Sequence, residues 1–435
     1  AMLEFLKLKQ CRRAQFNASF LFSCMPVTPA ATGAFMSSIF ADVALAPRDP
    51  ILGLTEAFNA DTRTTKVNLG VGVYYDDEGK LPLLKAVRAA EEARMKNPPA
   101  RGYQPIEGSV AYDQAVQALL FGHDTLLLRD KRVVTAQAIG GTGALKIGAD
   151  YLKRLVPNAT VYISDPSWEN HRALFEAAEF PVKTYAYYDA ATRGVNFAGM
   201  LADLNAMPKD SIVLLHACCH NPTGADLSNE QWDQVIDVIR AKGLIAFLDM
   251  AYQGFAEGIQ PDAIVLDKFA HSGLQFLVSS SFSKSFSLYG ERVGALSIVT
   301  ESADEAARVL SQLKRVIRTN YSNPPTHGAA VVAAVLTSPE LRVMWEHELA
   351  EMRERIRAMR VALVEKLKSK GVKQDFSFVI QQRGMFSYTG LTAEQVDVLR
   401  DKYGIYAVST GRICLAALNN KNIDAVAEAI AAVVA

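Results

Sequence analysis

The sequence is poor in cysteine, with 5 in 435 residues. Those five, Cys11, Cys24, Cys218, Cys219 and Cys414, show no C-x-x-C spacing. That argues against a disulfide framework and a thiolate metal site, and the odd count suits reduced thiols in a cytoplasmic setting. Neither sign of charge is in excess, because Lys+Arg number 46 and Asp+Glu 46. A nucleic-acid surface needs a surplus of cations on one face, so that class is disfavoured. No apolar run approaches the ~18 residues that span a bilayer; Ala329–Leu336 is the kind of run present, and it is short. Internal repeats, low-complexity linkers, G-x-G-x-x-G and the Walker loop are also missing.

What is present is 50% hydrophobic and 21% charged, enough apolar material for a large enzyme. Ala1–Phe35 is basic and apolar without the zones of a secretory signal. It reads as an upstream extension with Met36 opening the folded part, or alternatively as an organelle transit segment. From Lys131 onward short apolar runs alternate with amphipathic helical patterns. Strands are expected at Arg132–Gln137, Thr160–Ser164, Ser211–Cys218, Leu244–Asp249, Gln275–Ser280 and Gly294–Val299, and helices at Gly143–Leu155, Trp168–Ala178 and Asn229–Ala241. This is α/β order, with a mainly parallel sheet covered by helices on both faces. A long helical region follows over 303–370, broken near Ser322–Pro325 and Ser338–Pro339. The remainder reads as a smaller α+β unit: strands Phe376–Gln381, Met385–Tyr388 and Arg412–Ala417, helices Ala393–Tyr403 and Ile423–Val434.

Ligands of open α/β sheets bind beyond the carboxyl ends of the strands. Five such ends here carry a glycine loop (Gly140–Ala144), an aromatic ring (Trp168), an amide (Asn221), a carboxylate with a phenol (Asp249, Tyr252) and an amine (Lys284). Gly140–Gly143 at a helix start offers N–H groups to an anion, although glycine and threonine also serve as ordinary caps. Lys284 follows a buried strand among small hydroxyl residues. It could be a solvated turn residue, but an amine facing a phosphate loop is what an aldehyde cofactor needs for a Schiff base. Asp249 could be a helix cap or ion-pair partner; its other reading is the carboxylate that keeps a pyridine nitrogen protonated. Together these features favour pyridoxal phosphate.

Gly140–Ala144, Pro166–His171, Cys218–Gly224, Asp249–Phe255 and Ser281–Gly294, with Val67–Tyr74 and Arg318–Pro325, resemble the class I aspartate/aromatic aminotransferases, fold-type-I pyridoxal phosphate enzymes. The likeness runs from about Asp49 to the C-terminus. It implies an N-terminal extension or arm over 1–48, a small domain made of 49–81 and 352–435, and a large cofactor-binding domain over 82–351. By the resemblance, Lys284 carries the cofactor and shuttles the proton. Asp249 pairs the pyridine nitrogen with His171 behind it, and Tyr252 and Asn221 bond the phenolic oxygen. Gly141, Thr142, Ser281, Ser283 and Arg292 hold the phosphate, and Trp168 stacks on the ring. Arg412 would clamp the substrate α-carboxylate, with Gly72, Trp168 and Asn221 lining its pocket. Arg318 would reach the distal carboxylate and Tyr103 the phosphate, both from the neighbouring subunit, so the resemblance implies a homodimer with shared active sites.

Both carboxylate arginines imply 2-oxoglutarate and glutamate as one substrate pair. For the other pair the signals are mixed. Tyr75 and Leu81 resemble the branch that also takes tyrosine and phenylalanine, whereas Thr142 and Asn323 look like the strict aspartate branch. Dual use is the expectation, with a strict aspartate enzyme as the alternative. Decarboxylation or elimination on the same scaffold is disfavoured by the two arginines. A non-catalytic regulator that binds pyridoxal phosphate is disfavoured by the presence of Lys284 and Asp249, and by the lack of a helix-turn-helix before Asp49.

Overall fold

The computed structural model describes residues 38–46 and 51–435, which fall in two units divided after Pro47. The extension expected over 1–48 lies outside the described residues except for 38–46, an exposed turn bearing Ile39, Phe40, Val43 and Leu45.

Thirteen strands are labelled in chain order: β1 Val67–Asn68, β2 Val133–Ile139, β3 Val161–Asp165, β4 Val182–Ala186, β5 Tyr188–Asp189, β6 Gly194–Val195, β7 Ile212–His216, β8 Ile245–Met250, β9 Phe276–Ser281, β10 Val293–Val299, β11 Phe386–Tyr388, β12 Ile405–Tyr406 and β13 Arg412–Cys414. Seven form the main sheet, in the order β2-β10-β9-β8-β7-β3-β4. Only β10 runs antiparallel to its neighbours. The other strands of this sheet all point the same way, and their carboxyl ends form one rim.

The sheet is buried on both faces because its strands are apolar at successive positions. Ile212 and Leu214 of β7 enter one core, with Phe247, Leu277 and Leu296, under the helices Gly140–Leu155, Glu169–Glu176 and Ala303–Asn320. Val213 and Leu215 enter the other, with Ala246, Leu248 and Val278. Helices Val110–Phe121, Asn229–Lys242, Ile264–His271 and His327–Thr337 cover that face. The period-2 alternation of strand side chains accounts for the division. Asn229–Lys242 is set by a Ser228/Gln231 capping box and stopped by Gly243 in the left-handed region.

Helix Pro339–Ser369 leads to the last segment, where β11 pairs β13 and β1 pairs β12. Here two expectations are corrected. Phe376–Gln381 is not a strand: Phe378–Gln381 is a short helix. Its Phe376, Phe378 and Val379 are buried, but a run this short has no decisive period, and the turns Val379 N–H to Phe376 O and Ile380 N–H to Ser377 O decide it. The strand expected over Arg412–Ala417 ends at Cys414, and Leu415–Ala417 is a 3₁₀ turn. The helix expected from Gly143 starts earlier, at Gly140.

Where β10 crosses the glycine loop there is no room for a side chain. A Cβ on Gly294 would meet Gly140 C at 2.4 Å and Ser280 O at 2.8 Å, both backbone, whereas a Cβ on Gly290 would meet nothing within 4 Å. Gly294→Ala is therefore expected to destabilise the fold by about 1–3 kcal/mol or more. Gly290→Ala should be within about 0.5 kcal/mol of wild type. Urea unfolding of the two variants checks this, and equal midpoints would contradict it.

Candidate active site

Asp249 sits near the end of β8, in register with His216 on β7 and Ser279 on β9. His171 Nε2–H donates to its Oδ2 at 2.9 Å, and Ser167 Oγ lies 2.9 Å from His171 Nδ1. The Trp168 ring meets His171 edge-on at 5.1 Å. Burial pushes the Asp249 carboxyl up, but the hydrogen bond and charge of His171, with His216 and Lys284, outweigh this and hold it below its ordinary value. It is an ionised carboxylate in the interior.

Two further imidazoles lie behind it. His216 is 5.0 Å from His171 and 4.2 Å from His220, ring to ring. Burial and the neighbouring His171 push His216 down to about 3, so it is neutral, and neither ring nitrogen has a partner among the described residues. Ser164 Oγ donates to Pro166 O at 2.8 Å, so it accepts from His220 Nε2–H at 2.9 Å, and His220 Nδ1 accepts from Thr223 Oγ1 at 2.7 Å. That fixes His220 as one neutral tautomer.

Lys284 follows β9. The residue is half-buried; its Nζ lies 5.0 Å from the centre of the Tyr252 ring and makes no hydrogen bond or ion pair among the described residues. Burial pushes the amine down, Asp249 pulls it up, and Arg292 and Arg412 push it down further, to about 8. An amine that titrates there has a usable neutral fraction near pH 7 and can act as a nucleophile or base.

An anion cradle lies at the start of helix Gly140–Leu155. Gly140 is in the left-handed region at φ 67°, and a Cβ there would meet Arg292 Nη2 at 2.4 Å. A Cβ on Gly141 would come within 3.1 Å of Ser281 Cβ. Arg292 Nη1 donates to Ser283 Oγ at 3.2 Å and to Tyr289 O at 3.1 Å. Helix N–H groups at Gly141 and Thr142, two serine hydroxyls and a guanidinium thus converge, which is the donor set a phosphate needs.

Arg412 reaches the same region from β13. It is 1% exposed; Nη1 donates to Asn221 Oδ1 at 3.1 Å and Nη2 to Gly70 O at 2.6 Å, while Nε is buried without a partner. Its guanidinium carbon lies 4.3 Å from the centre of the Phe386 ring. Gly72 is the other wall, since a Cβ there would meet Phe386 Cζ at 2.6 Å. A buried fork with an unused N–H suits a carboxylate.

The structure thus brings Gly72, Gly141, Thr142, Trp168, His171, Asn221, Asp249, Tyr252, Ser281, Ser283, Lys284, Arg292 and Arg412 around the sheet rim. Tyr103 and Arg318 have their contacts elsewhere. Tyr103 is 95% exposed. Arg318 donates to Ser322 Oγ and lines a groove of about 310 Å³ with Ile106, Arg154, Lys314, Arg315 and Thr319. Sequence reasoning missed Phe386, the Gly70 carbonyl and His216. Phe386 and Gly70 carry no local signal of their role. His216 could have been noticed as an imidazole closing the apolar run of β7. The candidate metal group among the described residues, Cys218, Cys219 and Asp262, suits no ion. Asp262 already accepts four backbone N–H groups, from Gly254, Ala256, Glu257 and Gly258.

Residues 64–430 match the family model described as aminotransferase class I and II. The chain is 70% identical over 393 residues to an aspartate aminotransferase of Pseudomonas aeruginosa, covering 90% of this chain and 99% of that protein. It is 54% identical over 387 residues to an aromatic-amino-acid aminotransferase of Escherichia coli, covering 88% and 97%. A crystal structure of an aromatic-amino-acid aminotransferase from Burkholderia pseudomallei, covalently bound to pyridoxal phosphate, superposes with a TM-score of 0.90 at 68% identity, covering 92% of this chain and 100% of that one.

The depressed Lys284 has two measurable consequences. Reductive alkylation of this amine by a small aldehyde, followed by peptide mapping, should inflect near pH 8, and lower still in Asp249→Asn, where the charge that pulls it up is gone. An inflection near that of free lysine, ~10.4, would contradict the burial argument. Between about 8 and 10.5 the unfolded chain holds the proton that the folded one has lost, so Lys284 makes stability rise with pH across that window.

Proposed function

This chain belongs to the class I and II aminotransferase family, and we propose that it moves an amino group between L-aspartate or an aromatic L-amino acid and 2-oxoglutarate. It is a pyridoxal-phosphate-dependent transaminase. What carries the assignment of residues is the unpaired Lys284 amine, held between the ionised Asp249 and the anion cradle.

The residues fit pyridoxal phosphate: the cradle matches the phosphate and Asp249 matches a protonated ring nitrogen. Bound there, the cofactor supplies an aldehyde for the amine and a ring that takes up the electron pair left when Cα loses its proton. Gly141, Thr142, Ser281, Ser283 and Arg292 bind the phosphate. Asp249 would hold the proton on the ring nitrogen, and His171 orients that carboxylate through Nε2–H. Trp168 would cover one side of the ring, and Asn221 and Tyr252 would donate toward its phenolic oxygen. Arg412 uses its free Nε–H on the substrate α-carboxylate, which orients Cα. The Lys284 amine, with its neutral fraction near pH 7, would take up the substrate Cα proton and hold it for return. The second half-reaction repeats these steps in reverse on 2-oxoglutarate, a ping-pong cycle.

Arg318 and Tyr103 are assigned to a second copy of the chain in a homodimer. Their placement away from their own Lys284 supports this, as does the exposure of Tyr103. Dual use of aspartate and aromatic substrates is supported by relatives of both names at high identity, and by Tyr75 and Leu81 beside the Gly70–Tyr74 loop. No helix of the described residues is long and apolar enough to cross a membrane. We assign the chain to the cytoplasm.

Three outcomes are expected. The visible band of the cofactor-loaded protein should bleach with aspartate and, in a fresh sample, with phenylalanine; bleaching by aspartate alone would make it a strict aspartate enzyme. Lys284→Ala should keep the cofactor but lose that band and nearly all turnover, and normal turnover would refute the mechanism. Arg318→Leu should lower kcat/KM for aspartate about 30-fold or more, the cost of unpairing a buried charge, and leave phenylalanine far less affected. Equal losses would remove Arg318 from the distal-carboxylate role.

A further inference from the structure

Arg360 lies on helix Pro339–Ser369, outside the residues assigned above, and is 2% exposed. A buried guanidinium normally faces a carboxylate. This one faces three backbone carbonyls: Nη1 donates to Val379 O at 2.9 Å, and Nη2 to Gly384 O and Phe386 O, both at 2.7 Å. Burial pushes it down to about 10, so it is charged at neutral pH. Charge-assisted bonds of this length fix the peptide units they hold.

Those peptide units bracket the entry to β11, where space is minimal. Gly384 is in the left-handed region at φ 82°, and a Cβ there would meet Cys219 Cβ at 2.5 Å. A Cβ on Gly224 would meet Phe386 O at 2.8 Å, and Arg383 N–H donates to Gly224 O at 2.7 Å. The Asn221–Gly224 turn is therefore pressed against the Phe386 carbonyl that Arg360 holds. On the other side of this backbone the Phe386 ring lies under the Arg412 guanidinium at 4.3 Å and against the Gly72 backbone, 6.0 Å from the Tyr252 ring.

We propose that Arg360 is a positioning residue for substrate carboxylate recognition: by fixing the Gly384 and Phe386 peptides it holds the Phe386 ring as the floor on which Arg412 is aimed. The inference rests on the assignment of Arg412 to the substrate carboxylate. Arg360 touches neither cofactor nor substrate, so its loss acts on carboxylate binding and leaves the Lys284 end of the site in place.

The test uses the cofactor-loaded protein with Arg360→Lys and Arg360→Met. The visible band and its pH titration should match wild type, because they report Lys284, Asp249 and Tyr252. KM for aspartate, phenylalanine and 2-oxoglutarate should rise in the order wild type, Lys, Met, by about tenfold or more in Met, while kcat falls less than about threefold. A KM equal to wild type, or KM, kcat and the visible band changing together, would overturn the proposal. Should Arg360→Met not fold, Phe386→Leu and the double variant Arg360→Lys/Phe386→Leu decide. With the ring gone, Arg360→Lys should add little to the KM of Phe386→Leu, and additive effects would overturn the proposal. A wild-type band that fails to bleach with any amino acid would overturn the functional assignment and this inference together. A band that bleaches normally while Arg360→Lys and Arg360→Met keep the wild-type KM overturns the inference alone.

Discussion

The hydrogen bond from His171 to Asp249 is the contact on which the rest of the site depends. A carboxylate at the end of a doubly covered strand is far from water, and an unpaired charge there would be severely destabilising. His171 supplies the missing donor from the first turns of helix Glu169–Glu176, so the pair ties that helix to β8. Ser167 and the Trp168 ring lock the imidazole from the other side. The Trp168 ring and the Asp249 carboxylate are thus one packed unit.

The charge balance of the site follows from that anchor. Lys284 faces Asp249, Arg292 and Arg412, while His216 is kept neutral by burial and His171, and His220 by burial, His216 and His171. Cations outnumber anions in a dry cleft, which prepares it for a phosphate and a carboxylate. It also prevents the lysine from holding its proton as tightly as a solvated one would, as a nucleophile requires.

The Arg412 fork belongs to a different part of the chain. Arg412 comes from a two-stranded sheet, leans on the Gly70 carbonyl and the Asn221 amide, and rests on Phe386. Tight backbone approaches at Gly72, Gly224 and Gly384 leave these pieces little freedom relative to one another. Rigidity around Arg412 contrasts with the Lys284 amine, which no hydrogen bond or ion pair holds among the described residues.

The α/β order, the strand ends and the chemistry at each were readable in the sequence. Buried strands appear as apolar runs of known period, and residues just beyond them face the ligand rim whatever else the chain does. Asp249, Lys284 and the glycine loop stood out because each is a polar group where burial makes polarity expensive. The short helix Phe378–Gln381 was misread as a strand because four residues carry no period. Phe386 and the Gly70 carbonyl carried no signal, since their roles lie in contacts with residues far away along the chain, and the one signal at His216 was an imidazole closing the apolar run of β7. Which groups can do the chemistry is legible along the chain. It took the folded arrangement to show that the Arg412 Nε–H is left without a partner, that Tyr103 is exposed while Arg318 lines a groove with Ile106, and that Arg360 holds three carbonyls. Those facts depend on distances between segments up to hundreds of residues apart, which no local pattern encodes.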